Sequence, residues 1–489
     1  METSGWITLS FLIWFPIFAG ILVYLLRGSA NGSVSRCLAN ITSALMLFAV
    51  AWLIYRFDGS TSAMQFGERI AWIPSFGIEY ALGLDGISLW FVALNALITF
   101  LVIVTRKEKT NNSYLAALLI TSGLTYGAFT ALDGVLFYVF FEAMLIPIYL
   151  AIGVWGGPNR KYAATKFFLF TLFGSLFMLL ALFYLYNASG SFSIKDWHTL
   201  PLNMKAQLGL FVGFFMALAV KTPMWPLHAW APDAYSEGPT GAIVMLSSTK
   251  IGAYAFLRLL MPIVPDAVHQ LAPYMIALSL IAIIYFGFVA LSQSDLKRLV
   301  AYSSVAHMGM VTLGFFLLSS VAMKGALFLM ISNALVAAAL FFCAGAMMDR
   351  IGSRRIMDYQ GIVNVMPWLA TLFVFFAMAN IALPGTSGFI GELLVIFGAV
   401  EYHLGVGLLA ATVLIIAAAY TLWLVKRAVF GAVGNSHIAQ MHDLWPRERF
   451  GLVVLALVML VIGVWPQPVL ALMDASITDL LAHIARTKL

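Results

Sequence analysis

The 489 residues are 62% hydrophobic and only 10% charged, with a mean hydropathy of +0.96, a composition that no soluble globular chain of this size keeps in water. The formal charge is +6, but the basic residues sit in short loops between apolar runs and not in a stripe with interleaved aromatics, which argues against a nucleic-acid partner. Cys37 and Cys343 are the only cysteines, so a disulfide framework and a four-cysteine iron–sulfur or zinc site are excluded.

A hydrocarbon core of about 30 Å needs about 20 apolar residues per helix, and such runs succeed one another from Ile7 to Ile462. They lack the alternation of a barrel, so spanning strands are excluded. The predicted fold class is an all-α polytopic membrane protein of about fourteen transmembrane helices. The spans fall near 6–26, 38–56, 84–104, 113–131, 133–153, 163–186, 206–228, 240–261, 272–291, 299–318, 322–346, 363–400, 407–429 and 449–466. The first has no basic residue before it and no small-residue cleavage site after it, so it reads as a retained span and not a removable signal.

Basic residues concentrate on the cytoplasmic side of short loops. The loops after odd-numbered spans hold 17 Lys and Arg, among them Arg27, Lys107, Lys109, Arg160, Arg354 and Arg447, and the opposite loops and tail hold seven. That split predicts both termini on the outer face. Only Lys221, Lys250 and Arg258 remain, and they fall within spans.

The seventh span is interrupted at Lys221-Thr-Pro-Met-Trp-Pro226 and the twelfth at Leu383-Pro-Gly-Thr-Ser-Gly388, so Pro223, Pro384 and Gly385 mark helix breaks. Breaks at matching places in two halves point to inverted repeats with an ion site near the midplane. The expected organisation is spans 1–3 in 1–112, a first five-helix repeat (spans 4–8) in 113–261, and a second (spans 9–13) in 262–429. Residues 430–489 then hold a cytoplasmic loop, span 14 and the tail.

An ionisable side chain at mid-bilayer costs several kcal/mol, which makes each one a functional candidate. Glu142 lies roughly two turns into the fifth span, and Lys221 comes directly after the apolar run Phe211 to Val220. Burial disfavours a charged lysine and a carboxylate partner favours it, so a Glu142–Lys221 pair would be a tunable proton switch. The alternative is a static pair that fixes helix packing; buried pairs are often neutral or costly for stability, which weakens that account. Lys250 comes after Ser247-Ser-Thr249, and His307 after Ala301-Tyr-Ser-Ser-Val-Ala306, with hydroxyls near enough to order water. A lone histidine in a helix is as readily a packing residue; the series with Lys250 and Glu392 favours a relay, Glu392 standing just past the second break. His228 reads equally as helix-end packing or as a point of proton entry. Asp133 and Asp295 read as solvated surface charges. No HExxH, CxxC, GxxxxGK[ST] or strand-linked GxGxxG occurs, so no metal, nucleotide phosphate or dinucleotide site is predicted.

Six segments carry a resemblance that extends over nearly the whole chain: Gly83-Leu-Asp-Gly-Ile-Ser88, Phe137 to Pro147, Gly153-Val-Trp-Gly-Gly157, Val220 to His228, Asp295 to Gly309 and Leu383 to Glu392. In order and spacing they resemble the antiporter-like, proton-translocating membrane subunits of bacterial respiratory complex I (NADH:quinone oxidoreductase), within the Mrp-antiporter superfamily. The resemblance implies an axis of Glu142, Lys221, Lys250, His307 and Glu392. A glutamate at Glu392 resembles the M-type subunit, since the sister subunits usually carry lysine there. It also implies no cofactor bound by this chain, with NADH, FMN, iron–sulfur clusters and quinone in other subunits. The implied partners are paralogous antiporter-like subunits on both sides and the lipid of the bacterial inner membrane.

Two departures stand out against that pattern. The stretch from Lys221 to Lys250 is about two residues shorter, which would rotate the downstream part of the helix by about 200°, so Lys250 reaches the central axis only if a bulge or an altered kink compensates. Asn333 stands where the family usually has histidine, and asparagine can hold water but cannot take up a proton near neutral pH. The alternatives that stay open are an Mrp-type cation/proton antiporter subunit, a membrane subunit of a hydrogenase-type or carbon-uptake complex, and a spacer that does not pump.

Overall fold

A computed structural model describes residues 8–26, 32–106, 111–433 and 441–489. Arg27, Lys107 and Lys109 of the charge count lie outside the described residues.

The described chain is almost wholly helical. The first helices are α1 (Leu9–Leu25), α2 (Gly32–Arg56), α3 (Gly86–Thr105), α4 (Asn112–Thr130), α5 (Gly134–Ala143), α6 (Leu145–Trp155), α7 (Arg160–Ser189), α8 (Ile194–Thr199) and α9 (Met204–Lys221). The middle of the chain forms α10 (Ala231–Glu237), α11 (Thr240–Thr249), α12 (Ile251–Ala255), α13 (Met261–Ile263), α14 (Pro265–Leu291), α15 (Leu296–Phe316) and α16 (Ser320–Ile351). After it come α17 (Pro367–Asn380), α18 (Ser387–Tyr402), α19 (Leu404–Ala428), α20 (Pro446–Val464) and α21 (Gln467–Ile484).

The starts are set by short polar side chains that accept from otherwise orphaned amides. Asp85 accepts from Ser88 N at 2.8 Å, Asn203 from Ala206 N at 2.9 Å and Asp295 from Arg298 N at 2.9 Å. Gly190 (φ 72°) and Gly352 (φ 78°) end α7 and α16 in the left-handed region that lacks a Cβ penalty.

Among the described residues ten helices are long and apolar enough to cross a membrane, or up to twelve if two bent pairs each count as one span. The expectation of about fourteen is therefore not reached on this measure. The expected first span is the 17-residue α1, the expected fourth is the 19-residue α4, and neither is among the ten. The twelfth is split into α17 and α18, and α20 bends by 67° into α21.

Burial separates an inner column from a lipid-facing rim. The spans 240–263, 296–316 and 320–351 are each 94% buried over their most apolar windows. On α7, by contrast, Leu169, Phe173, Leu176 and Leu180 form an exposed apolar stripe at helical spacing. Such a stripe belongs against hydrocarbon.

Among the described residues, loop contacts form two groups. On one face a β-hairpin, absent from the sequence expectations, pairs β1 (Gln65–Ile73) with β2 (Ile78–Leu84) antiparallel, Arg69 opposite Ala81. It is held there by Leu132 N donating to Ala81 O at 2.9 Å and Glu79 N to Asp133 Oδ2 at 3.2 Å. Asp133 also caps α5 and is 2% exposed, so its reading as a solvated surface charge is corrected: it is a buried staple between hairpin and helix.

On the other face Glu237 Oε1 lies 2.6 Å from Arg354 Nη1, Leu296 N donates to Arg354 O at 2.9 Å, and Arg350 pairs with Glu448 at 2.7 Å. Asp295 caps α15 here and accepts from Ser236 Oγ at 3.2 Å. These are loops that the charge count assigns to the basic face. Burial raises the Glu237 carboxyl, but the Arg354 hydrogen bonds and charge outweigh it and hold the group below the usual value. A depressed carboxylate stabilises the fold above its unfolded pKa, and that contribution is lost as pH falls through the folded value. Glu237→Gln is accordingly expected to cost about 1–3 kcal/mol at neutral pH and to remove that acid-dependent part, read as the thermal midpoint of the chain in its complex against pH.

Candidate functional site

Both interruptions place polar groups inside the helical body. After Lys221 the chain leaves helical geometry until α10, and the carbonyls set free find local donors. Met224 N donates to Ala219 O at 2.9 Å, and the buried indole of Trp230 turns back to donate to Val220 O at 2.8 Å. Pro223 lies in this break, and Pro384 and Gly385 (φ 91°) lie in the second, between α17 and α18. Thr386 N and its Oγ1 both donate to Leu383 O there, at 3.0 and 2.7 Å.

Glu142 is the penultimate residue of α5 and Lys221 the last of α9. No ion pair within 4.0 Å joins them, which corrects the expected direct pair. Glu142 Oε1 and Lys221 Nζ are instead buried without a hydrogen-bond partner, and the ammonium sits 4.8 Å from the centre of the Phe141 ring. Such atoms are costly to leave bare, and Glu142–Lys221 is where a proton or a bridging water lowers that cost.

Lys250 occupies the joint between α11 and α12 with φ 47° and ψ 22°, a left-handed conformation unusual for a lysine. One further turn on, Phe256–Leu260 forms a π-helical turn. The short segment between the two lysines needs a compensating kink, and the left-handed joint at Lys250 supplies a local change of helical phase; the π-helical turn lies beyond it and resets the phase of the residues downstream. The result is that Lys250 Nζ donates to Ser304 Oγ at 3.3 Å, and Ser304 Oγ to Asn333 Oδ1 at 3.1 Å. A cavity of about 20 Å³ is lined by Lys221, Thr222, Ser247, Thr249, Lys250 and Ser304 among others. That is room for one water molecule between the two lysines.

His307 and Glu392 form the far group. Nδ1 lies 2.9 Å from Oε1, within ion-pair reach although off the line of a hydrogen bond, and Glu392 Oε2 has no partner. His307 Nε2 is 3.5 Å from the Tyr420 hydroxyl, which is 2.9 Å from Ser303 Oγ. Ser303 donates to Asn380 Oδ1 at 3.1 Å, and Asn380 Nδ2 to Thr421 Oγ1 at 3.0 Å. Ser303 and Ser304, adjacent on α15, thus carry one network each.

Of the predicted residues, Lys221, Lys250 and Asn333 are brought together through a cavity and Ser304, and His307 meets Glu392. His228 stands apart: its ring packs 4.4 Å from that of Phe286, and Nδ1 has no partner. Tyr420, Asn380, Thr421 and Trp230 were missed, because a hydroxyl, an amide or an indole inside an apolar run carries no charge to betray it. Arg258 carried that signal, and it pairs with Asp85 at 2.7 Å.

Residues 131–418 match the family model described as NADH:quinone oxidoreductase/Mrp antiporter, transmembrane. The chain is 39% identical over 482 residues to NADH-quinone oxidoreductase subunit M of Rickettsia prowazekii (strain Madrid E), covering 97% of this chain and 98% of that protein. It is 39% identical over 481 residues to NADH-ubiquinone oxidoreductase chain 4 of Marchantia polymorpha, with 97% of each covered. Among solved structures it superposes on a chain of respiratory complex I from Thermus thermophilus with a TM-score of 0.88 at 31% identity, covering 97% of this chain and all of that one. A chain of the Mrp complex from Dietzia sp. shares the fold alone, with a TM-score of 0.86 at 19% identity and coverage of 98% and 99%. The chain therefore belongs to the NADH:quinone oxidoreductase/Mrp antiporter transmembrane family and, within it, to the M subunits of NADH-quinone oxidoreductase.

Proposed function

We propose that this chain moves protons through the membrane arm of complex I along Glu142, Lys221, Lys250, His307 and Glu392, driven by quinone reduction in partner subunits. The observation that carries the reading is the state of the buried atoms: Glu142 Oε1, Lys221 Nζ and Glu392 Oε2 are enclosed by protein and unpartnered, while Lys221 and Lys250 share one cavity and His307 faces Glu392. Buried charged groups kept only for packing gain from being paired, which makes these three the natural places for a proton to move.

A charge change in a neighbouring subunit biases Glu142, and the field at Lys221 changes with it. A unit charge a few ångströms away at low effective dielectric is worth several kcal/mol, or several pKa units. Lys221 then releases or takes a proton across the small cavity to Lys250. Beyond Lys250 the connection is Ser304 and Asn333. Asn333 holds water and orients it without itself taking up the proton. The proton continues to His307 and Glu392. His228 is a candidate point of proton uptake on the basic face, adjacent to the first break.

The chain itself carries no redox centre in this reading; NADH, FMN, iron–sulfur clusters and quinone belong to other subunits. It is a multi-pass subunit of the bacterial inner membrane with the basic face cytoplasmic, both termini on the outer face, and paralogous antiporter-like subunits on either side. Co-purification tests the host complex: an affinity tag on this chain is expected to bring down NADH:quinone reductase activity and iron–sulfur subunits. Recovery of small antiporter subunits without that activity would transfer the chain to an Mrp-type complex.

A further inference from the structure

The hairpin face opens into a cavity of about 720 Å³ between β1, α8, the end of the eighth span and α21. Glu68, Arg69, Lys195, Asp479 and His483 line it, and His198 Nε2 lies 3.3 Å from Arg258 O. Its floor is a buried ion pair, Arg258 Nη2 lying 2.7 Å from Asp85 Oδ2. Arg258 Nε also donates to the Tyr254 hydroxyl at 3.0 Å, and that hydroxyl donates to Phe129 O at 2.9 Å. The second Asp85 oxygen accepts from both the amide and the hydroxyl of Ser88 at 2.8 Å.

This cluster differs in kind from the relay groups. Asp85, Arg258 and Tyr254 all have partners, whereas Glu142 Oε1, Lys221 Nζ and Glu392 Oε2 have none. A guanidinium does not deprotonate in proteins, so it passes no proton on, and its fixed positive charge opposes any cation that approaches. The Tyr254 proton is committed to a backbone carbonyl. Lys250 stands eight residues earlier on the same span, about 12 Å away along a helix.

We propose that the cavity is an aqueous vestibule on the hairpin face and that Asp85, Arg258 and Tyr254 are the seal that separates it from Lys250. The inference rests on the proton-moving reading above. Such a subunit needs one of its aqueous approaches closed, because a path open from both faces at once dissipates the gradient it builds. A saturated ion pair with no exchangeable carrier supplies that closure, and an arginine on an apolar span is a functional candidate by default.

The test uses the assembled complex in sealed vesicles, in a Cys37→Ser background, with a membrane-impermeant thiol reagent applied from the hairpin side. Leu257→Cys lines the vestibule and Ala253→Cys lines the lysine cavity one turn deeper. With Arg258 intact, Leu257→Cys is expected to label and Ala253→Cys to be protected. Arg258→Gln, and the apolar pair Asp85→Leu with Arg258→Met, are expected to expose Ala253→Cys and to make a preformed pH gradient decay at least about tenfold faster. Equal labelling of both cysteines with Arg258 intact would overturn the seal. So would an assembled apolar double variant that keeps native protection and native decay, since the pair would then be only a staple between α3 and the eighth span. If the Arg258 variants fail to assemble, equal labelling of the two cysteines in the native background still overturns the seal. Labelling needs no pumping, so a protected Ala253→Cys in a chain shown not to pump would sink the proton-moving reading and leave the seal standing.

Discussion

Lys221→Arg is expected to lose NADH-driven proton pumping as completely as Lys221→Ala, by roughly a hundredfold in the coupled rate, in complexes that assemble normally. The arginine keeps a positive charge beside Glu142 and the Phe141 ring, and it keeps a long side chain at the end of α9. It does not release a proton near neutral pH. If Lys221 serves only as a fixed counter-charge, the arginine variant retains function and the alanine variant does not. If the ammonium must deprotonate in each cycle, both fail together. The absence of a short ion pair to Glu142 is what makes the second outcome the expected one: a locked pair would hold the proton, and this arrangement leaves Nζ without a committed acceptor.

Glu392→Gln is the second large effect expected. Glu392 is 2% exposed, packed on α18 just past the second break, and its Oε1 is the charged neighbour of His307 Nδ1 at 2.9 Å. A glutamine preserves the shape and one acceptor oxygen while removing the ionisable carboxyl that would carry the proton. The proton should then stop at Lys250, and pumping should fall at least about tenfold with assembly unchanged. A local check separates this from misfolding: Glu392→Asp, which keeps an ionisable carboxyl at the same place, should restore part of the pumping that Glu392→Gln loses. Native pumping in Glu392→Gln would remove Glu392 from the relay.

The features legible in the sequence are those that are costly wherever the chain folds. Glu142, Lys221, Lys250 and Glu392 stood out because a charge inside an apolar run is expensive in any arrangement of the helices. The two breaks were legible for the same reason, since proline and glycine remove backbone hydrogen bonds that hydrocarbon cannot replace. The expected sorting of loops into two faces comes from lysine and arginine alone.

Pairing was not legible. Asp85 and Arg258 are 173 positions apart, and only the packing of α3 against the eighth span shows that they meet. Glu142 and Lys221 were expected in direct contact because opposite charges in neighbouring spans suggest it, yet the helix ends hold them beyond 4 Å. The hairpin Gln65–Leu84 was passed over because a search for long apolar runs skips a polar loop. Asp133, read as a solvated charge at a helix start, is buried by that same unseen hairpin. The joint at Lys250 lay between these cases: chain length demanded a local change of phase, but its form, a left-handed lysine succeeded by a π-helical turn, depends on backbone geometry that residue types do not specify.

The most direct measurement is the number of protons moved per electron by the complex in sealed vesicles energised with NADH, comparing the native chain with Lys221→Arg at equal amounts of assembled complex. A ratio that falls in the variant, together with slowed quinone-linked turnover, is the predicted result. An unchanged ratio and rate would mean that Lys221 need never lose its proton, and the relay through Glu142, Lys221 and Lys250 would be contradicted.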